Sequence, residues 1–286
     1  MTLLGGCSAL RVSYDRADTL AGWWLDRRLD FTDAQEGAVR QSLRDWLAWH
    51  RATQLTDYAK GLAALRPRLA GPLSSDEICA VAEAWQQRLQ RAAEAAVPAA
   101  ARHARSLGPA QLDRLERRLH EDLAADEQAL VPADARRRHE QAVTRWVERA
   151  ERLYGRLDAR QRALLAEVIE RGPWDARRWI AERRARQQDL LRDWRAWQQA
   201  GADEVVWREG LRQQMAALWV SPRPAYRAHA AQLRQADCAL MARLHDSTSA
   251  AQRDRARERL QGWEDDLRQL AAGPADGEPA PLSGGR

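Results

Sequence analysis

Histidine and glutamate stand next to each other twice in this sequence, at His120-Glu121 and His139-Glu140. A zinc protease helix needs a second histidine four residues after the first, but Ala124 and Val143 occupy those positions. No histidine has the glutamate three residues before it that a di-iron helical bundle requires. Lys60, the one lysine, lies in no phosphate-binding loop, and no Gly-x-Ser-x-Gly motif is present. We therefore expect no enzymatic activity, no metal site and no cofactor.

Cys7 lies in a pattern that is typical of covalent lipid attachment. Leu3-Leu4-Gly5-Gly6 precede this cysteine, as in the signal at which bacterial lipoproteins are cleaved and then acylated. Residues 1–6 would be the remnant of a signal peptide, although a full one has a basic and an apolar region before the cleavage site. The alternative is a cysteine in the frayed N-terminus of a cytoplasmic protein that starts at Met1. Because Ser8 and not aspartate follows, we expect a lipid anchor on Cys7 in the outer membrane, with the body on its periplasmic face.

An anchor of this kind would hold the body close to the lipid surface. No stretch of the sequence approaches the ~18 apolar residues that cross a bilayer, so the covalent lipid would be the attachment. The arginine-rich stretches at 136–138 and 177–186 are predicted to be solvated helix faces; the alternative is that they bind anionic lipid head groups. The formal net charge of +5 is mild for 286 residues. For an exported protein it favours lipid or protein partners over nucleic acid.

Two further cysteines, Cys79 and Cys238, remain when Cys7 is assigned to the lipid. Both occur within helical patterns. In an oxidising compartment a disulfide between them would persist. The alternative is that each is a small buried apolar residue, as free cysteine often is.

Tryptophan is unusually frequent, with thirteen residues, and two pairs have i,i+3 spacing: Trp46 with Trp49, and Trp194 with Trp197. On amphipathic helices this spacing is typical of packing between helices. The alternative is an aromatic surface that binds an apolar ligand or an unfolded protein. Residues 23–24 are also both tryptophan, and since adjacent helical residues face different sides, one of them is a candidate for the lipid head-group region.

Composition and periodicity predict an all-α fold. Ala, Leu, Arg, Glu and Gln dominate, and apolar residues recur at helical spacing from Leu20 to Leu270. We expect an elongated bundle of about nine to ten helices, including a leading helix near 15–29 and a long one over 33–66. Five helix starts have a capping box or a Gly-Pro start; they are Thr32–Gln35, Ser74–Glu77, Gly108–Gln111, Asp158–Gln161 and Ser249–Gln252.

An internal repeat indicates two tandem, related helical halves. When Gln35 is aligned with Gln161, the helical segments that follow match after removal of seven residues, which is two helical turns. The box at Gln111 likewise resembles the box at Gln252. The predicted organisation is a residual signal at 1–6, a lipid-anchored segment and helix at 7–30, a first half at 31–130, a connecting helix at 131–156, a second half at 157–271 and a disordered tail at 272–286.

The run Ser13–Asp18, then Trp24-Leu25-Asp26, then Leu29–Glu36 with its Thr-x-x-Gln, resembles an uncharacterised family of proteobacterial outer-membrane lipoproteins. Members begin with Gly-Cys-Ser and continue into an aromatic-rich helix. The likeness extends through 46–51 and 157–161, so it covers most of the chain. The resemblance implies an all-helical fold and lipidation at the cysteine of the Gly-Cys-Ser motif, and it implies nothing catalytic.

A weaker likeness, to periplasmic stress chaperones with Leu-Thr-x-x-Gln repeats, rests on Phe31–Gln35 and Leu157–Gln161. Helix capping alone explains both motifs. Two functions therefore stay open. One is a structural or adaptor lipoprotein that presents helical surfaces to envelope partners. The other is a chaperone that binds unfolded proteins through basic, tryptophan-rich helices.

Overall fold

The computed structural model describes residues 9–131 and 134–273, and within these ranges it contains twelve α-helices and no β-strand. The predicted all-α class is confirmed. Cys7 and most of the tail predicted at 272–286 lie outside the described residues. In chain order the helices are α1 Ala9–Asp15, α2 Ala17–Leu29, α3 Asp33–Thr53, α4 Leu55–Leu65, α5 Ser75–Arg105, α6 Pro109–Leu130, α7 Ala135–Tyr154, α8 Ala159–Arg171, α9 Ala176–Gln199, α10 Glu204–Trp219, α11 Pro224–Asp246 and α12 Ala250–Ala272.

The single helix expected over 33–66 is divided in the structure. It ends at Thr53, α4 follows directly, and a 3-10 turn covers Arg66–Ala70. The Thr53 hydroxyl donates to the Trp49 carbonyl at 2.8 Å, and such a bond back to the preceding turn bends a helix. Pro67 lies inside the 3-10 turn, where it supplies no backbone donor to continue the helix.

The N-terminal region also contains one more helix than expected. The leading helix predicted near 15–29 is α2, and α1 precedes it from Ala9, with a break at Arg16. The described chain therefore has twelve α-helices where nine to ten were expected. Short breaks of this kind leave the apolar period in phase, so periodicity alone does not reveal them.

The five predicted helix starts are confirmed. At four of them a side-chain oxygen accepts from the third helical N–H, while the Gln or Glu at that position accepts from the capping residue's N–H; the caps are Thr32, Ser74, Asp158 and Ser249. At the fifth, Gly108 has no side-chain acceptor. Its N–H donates to Gln111 Oε1 at 2.8 Å, and Pro109 is the first helical residue.

The four glutamines of these capping boxes form two reciprocal hydrogen-bonded pairs. In the first glutamine pair, Gln111 Nε2 donates to Gln35 Oε1 at 2.9 Å, and Gln35 Nε2 donates to Gln111 Oε1 at 3.3 Å. The remaining amide hydrogens reach the carbonyls of Ser106 and Asp30 at 2.9 and 3.0 Å. Because these carbonyls end α5 and α2, one pair of side chains joins four helix ends.

The second glutamine pair repeats this arrangement. Gln161 Nε2 donates to Gln252 Oε1 at 2.8 Å, and the reverse bond is 3.0 Å. The outer hydrogens reach the carbonyls of Ser247 and Arg156, both at 3.0 Å. This pair is buried, with Gln161 1% and Gln252 9% exposed. It joins the ends of α7 and α11 to the starts of α8 and α12.

The helices of the two predicted halves share their cores. Leu62, Leu69 and Leu73 from the first half pack with Leu244 and Leu260 from the second, and the connecting helix adds Ala150 and Tyr154. A second cluster joins the α5 residues Val97, Ala101 and Ala104 to Trp207 and Leu211 of α10. Helix α12 lies along α4, and α5 lies against α10 and α11. The halves related by sequence therefore do not have separate cores.

We expect Gln161→Ala to lower the free energy of unfolding by about 3 kcal/mol, because it leaves buried hydrogen-bonding groups without partners and opens a small cavity. Gln35→Ala, at the equivalent position of the more exposed first glutamine pair, should cost only about 1 kcal/mol. Urea unfolding followed by circular dichroism measures both values. Equal losses in the two variants would contradict a dominant role for the buried pair.

Candidate functional site

Trp46 and Trp49 lie on α3 and contact aromatic rings inside the protein. Trp46 Nε1 donates to the Ala92 carbonyl at 3.0 Å. Its ring stacks on His50 with 4.8 Å between centroids, and Trp49 lies 6.3 Å from Trp46. The first candidate aromatic pair is therefore used largely for packing of α3 against α5.

His50 is the centre of this aromatic cluster. Its Nδ1 lies 2.9 Å from the Tyr14 hydroxyl and its Nε2 lies 3.3 Å from the Tyr58 hydroxyl. Burial lowers the pKa of the His50 imidazole and raises the pKa of both tyrosines. The cluster is thus a hydrogen-bonded set that fastens α1 to α3 and α4.

Trp194 and Trp197 lie on α9 and surround a third tryptophan. Trp207, which is 1% exposed, meets both rings edge-on at centroid distances of 5.8 and 5.1 Å. Trp194 Nε1 donates to Gln214 Oε1 at 3.0 Å. Gly210 of α10 permits this packing, since a Cβ there would lie 2.1 Å from the Trp197 ring. Nothing in the sequence pattern singled out that glycine.

The four candidate tryptophans thus occupy two separate aromatic clusters. In each pair one indole N–H donates to a group of the protein itself, Ala92 O for Trp46 and Gln214 for Trp194. Their contacts are those expected for packing between helices. The structure does not bring the four rings together on one exposed surface.

Cys79 and Cys238 are joined in a disulfide that links α5 to α11. Their Cα atoms are 5.5 Å apart, although 159 positions separate them in sequence. Cys238 is buried, with 4% exposure. A bond that closes so long a loop constrains the unfolded chain strongly, and bonds of this kind persist in oxidising compartments.

Helix α2 presents an exposed apolar and basic face next to the chain's N-terminal segment. Leu20, Trp23 and Trp24 are 55%, 57% and 50% exposed, and their i, i+3, i+4 spacing places them on one side of the helix. Arg27 and Arg28 stand over the two indole rings at 4.8 and 3.8 Å. Both adjacent tryptophans, and not one of them, therefore face solvent.

Leu10 and Val12 of α1 are also exposed, although their i,i+2 spacing places them on different sides of that helix. Of the twelve large apolar side chains exposed in the described residues, five lie between Leu10 and Trp24. The opposite side of α2 packs on α3 through the buried Gly22. We call Leu20, Trp23 and Trp24 the N-terminal apolar surface.

The arginine-rich stretches are interleaved with acidic partners. Arg136 pairs with Glu140 at 3.1 Å, and Arg184 pairs with Glu127 at 3.1 Å. Within 177–186, ion pairs are also formed by Arg178 with Asp175, Arg183 with Asp126 and Arg186 with Glu182. These contacts are typical of solvated helix faces that also tie neighbouring helices together.

A hollow of about 350 Å³ opens between α7, α8, α9 and α11, and sequence reasoning missed it. Trp146, Trp174 and Trp179 line it together with Arg145 and Arg149. The spacing of Arg145 and Arg149 is the sequence feature that could have indicated this site, because like charges four residues apart on one helix are unfavourable. Among the described residues neither guanidinium has a hydrogen bond or an ion pair.

The chain matches one known protein family. The sequence profile of a family of unknown function, DUF6279, matches residues 27–227. The chain belongs to this family. The DUF6279 match begins within α2 and ends within α11, so it includes Gln35, Gln111 and Gln161 but neither Gln252 nor Cys7. No curated protein and no solved structure matches the chain.

No helix in the described ranges is long and apolar enough to span a bilayer. The same residues contain no group of three or more His, Cys, Asp or Glu side chains placed to hold a metal ion.

Gly210→Ala should destabilise the DUF6279 protein by about 1–3 kcal/mol, because the added methyl group would force the Trp197 ring out of its packing. Gly37→Ala is the matched control, since a Cβ at this exposed helical position meets nothing within 4 Å. The control should be stabilised by roughly 0.5–1 kcal/mol. Thermal unfolding with tryptophan fluorescence distinguishes the two, and unchanged stability of Gly210→Ala would show that the ring is not held there.

Proposed function

We propose that this protein is a non-catalytic lipoprotein, held by acylated Cys7 at the periplasmic face of the outer membrane, that presents helical surfaces to envelope partners. The observation that carries the proposal is the N-terminal apolar surface. Helix α1 begins two residues after Cys7, so the Cα atom of the acylated cysteine would lie within ~7 Å of the start of that helix. Any anchor at Cys7 would therefore bring this surface to the lipid.

The chemistry of the α2 face suits the boundary between lipid and water. Tryptophan is enriched at the level of the head groups, and arginine side chains can lie along apolar surface while their charge stays in water. Arg27 and Arg28 already stack on Trp23 and Trp24, and Arg28 also pairs with Asp122 at 2.8 Å. The surface would add reversible binding to the covalent anchor.

The Cys79–Cys238 disulfide is an independent support. Disulfides are rare in the reducing cytosol and persist in the periplasm. This bond joins distant parts of the chain, α5 and α11. A protein that depends on such a bond is suited to the compartment that the Cys7 motif predicts.

The anchor is tested with protein taken from the native host. We expect the intact mass to show an acylated Cys7 at the N-terminus, and Cys7→Ala to leave the membrane fraction. A chain that retains Met1 and an unmodified Cys7 would refute the proposal.

The N-terminal apolar surface is tested separately with Cys7→Ser protein and anionic lipid vesicles. Trp23→Ala with Trp24→Ala should weaken vesicle binding roughly tenfold to a hundredfold, since burial of each large apolar side chain contributes ~1.5–3 kcal/mol. Trp263→Ala removes an exposed tryptophan of α12 and serves as the control. Equal binding of the double variant and the control would show that α2 does not contact lipid.

The alternative function is a periplasmic chaperone that binds unfolded clients. Its proposed binding surface, Trp46, Trp49, Trp194 and Trp197, is engaged in contacts within the protein, and this favours the adaptor proposal. An aggregation assay distinguishes the two functions. We expect equimolar protein to leave the aggregation of an unfolding client unchanged, whereas clear suppression would favour the chaperone.

A further inference from the structure

We propose that the hollow between α7, α8, α9 and α11 binds a single-chain amphipathic anion, with its apolar chain against the tryptophans and its charged head at Arg145 and Arg149. This site is independent of the anchor at Cys7. It is lined by residues of α7, α8, α9 and α11, by Leu130 at the end of α6, and by the loop between α8 and α9.

The inner wall of the hollow is suited to an alkyl chain. Trp146, Trp174 and Trp179 line it with aliphatic side chains of α8 and α11. Trp174, which lines the hollow, is 40% exposed and therefore has area available to a ligand. The volume of about 350 Å³ falls in the range of small-molecule sites, which are mostly apolar with a few placed polar groups.

The charged part of the wall is suited to an anion. Burial, and after it the nearby charge of Arg149, lower the pKa of the Arg145 guanidinium. Neither has an ion pair with a described residue. A carboxylate or phosphate placed between them would supply charge-assisted hydrogen bonds to both.

One acidic residue lines the inner hollow, and it limits the affinity. Burial raises the pKa of Asp237 to about 6, against the opposing effect of Arg149. A wider outer hollow continues past Arg145 and adds three arginines, Arg136, Arg138 and Arg177, of which Arg136 pairs with Glu140, and two acids, Glu170 and Asp175. Asp175 already caps α9, so the balance of charge at the opening favours an anion.

The test uses the full chain with Cys7→Ser and isothermal titration calorimetry below micelle-forming concentrations. The probes are dodecanoate, dodecyl phosphate and, as a charge-reversed match, dodecyltrimethylammonium. We expect saturable binding of an anion and at least tenfold weaker binding of the cation. A preference between the two anions identifies a carboxylate or a phosphate head.

Variants locate the binding site. Arg145→Gln with Arg149→Gln should weaken anion binding by roughly tenfold or more, because charge-assisted hydrogen bonds are lost. Asp237→Asn should tighten it by about threefold, because a like charge is removed. The matched control is Arg102→Gln with Arg105→Gln, which removes the same charge from an exposed face of α5 and should change nothing.

A second variant keeps both arginines. Ala142 lines both hollows, so Ala142→Trp should fill the space and abolish binding, while a circular dichroism melt confirms folding. Four results would overturn the proposal. They are no saturable binding, equal binding of the cation, an equal loss in the control, and full binding in folded Ala142→Trp protein.

Discussion

The reciprocal hydrogen bonding of paired glutamine amides is the interaction on which the arrangement of these helices depends. Each amide oxygen accepts from a capping residue's N–H and from its partner's amide, and each amide nitrogen donates to its partner and to a carbonyl that ends another helix. An amide offers two donors and two lone pairs, and all are used. Since unsatisfied buried groups are costly, the second glutamine pair specifies which four helix ends meet.

The rest of the interior extends from these junctions. Tyr154 donates its hydroxyl proton to His245 Nδ1 at 2.9 Å, and His245 Nε2 lies 2.8 Å from the Gly71 carbonyl, so the buried ring is satisfied on both sides near the second glutamine pair. The Cys79–Cys238 disulfide ties α5 to α11 across the same core. Long-range links of this kind explain why sequence halves that resemble each other share their cores.

Eight of the thirteen tryptophans fall into two groups with different consequences for function. Those around His50 and Trp207 use their rings and N–H groups inside the protein. Those on α2, and Trp174 beside the hollow, keep much of their area in contact with solvent. Exposed aromatic surface next to arginine is suited to lipids and amphipathic anions, and for this reason we propose one binding site near the N-terminus and one between α7 and α11.

Local signals in the sequence determined the helical class and the five capped helix starts, because capping depends on residues three positions apart. The alignment of Gln35 with Gln161 and of Gln111 with Gln252 also came from sequence, but it did not reveal that the members bond to each other. Tertiary structure decided that pairing, the contact of Trp197 with Gly210, the exposure of both Trp23 and Trp24, and the placement of Asp237 near Arg149. Each joins residues far apart in the chain or depends on which helix face is covered, and periodicity within one helix carries no information about its neighbour.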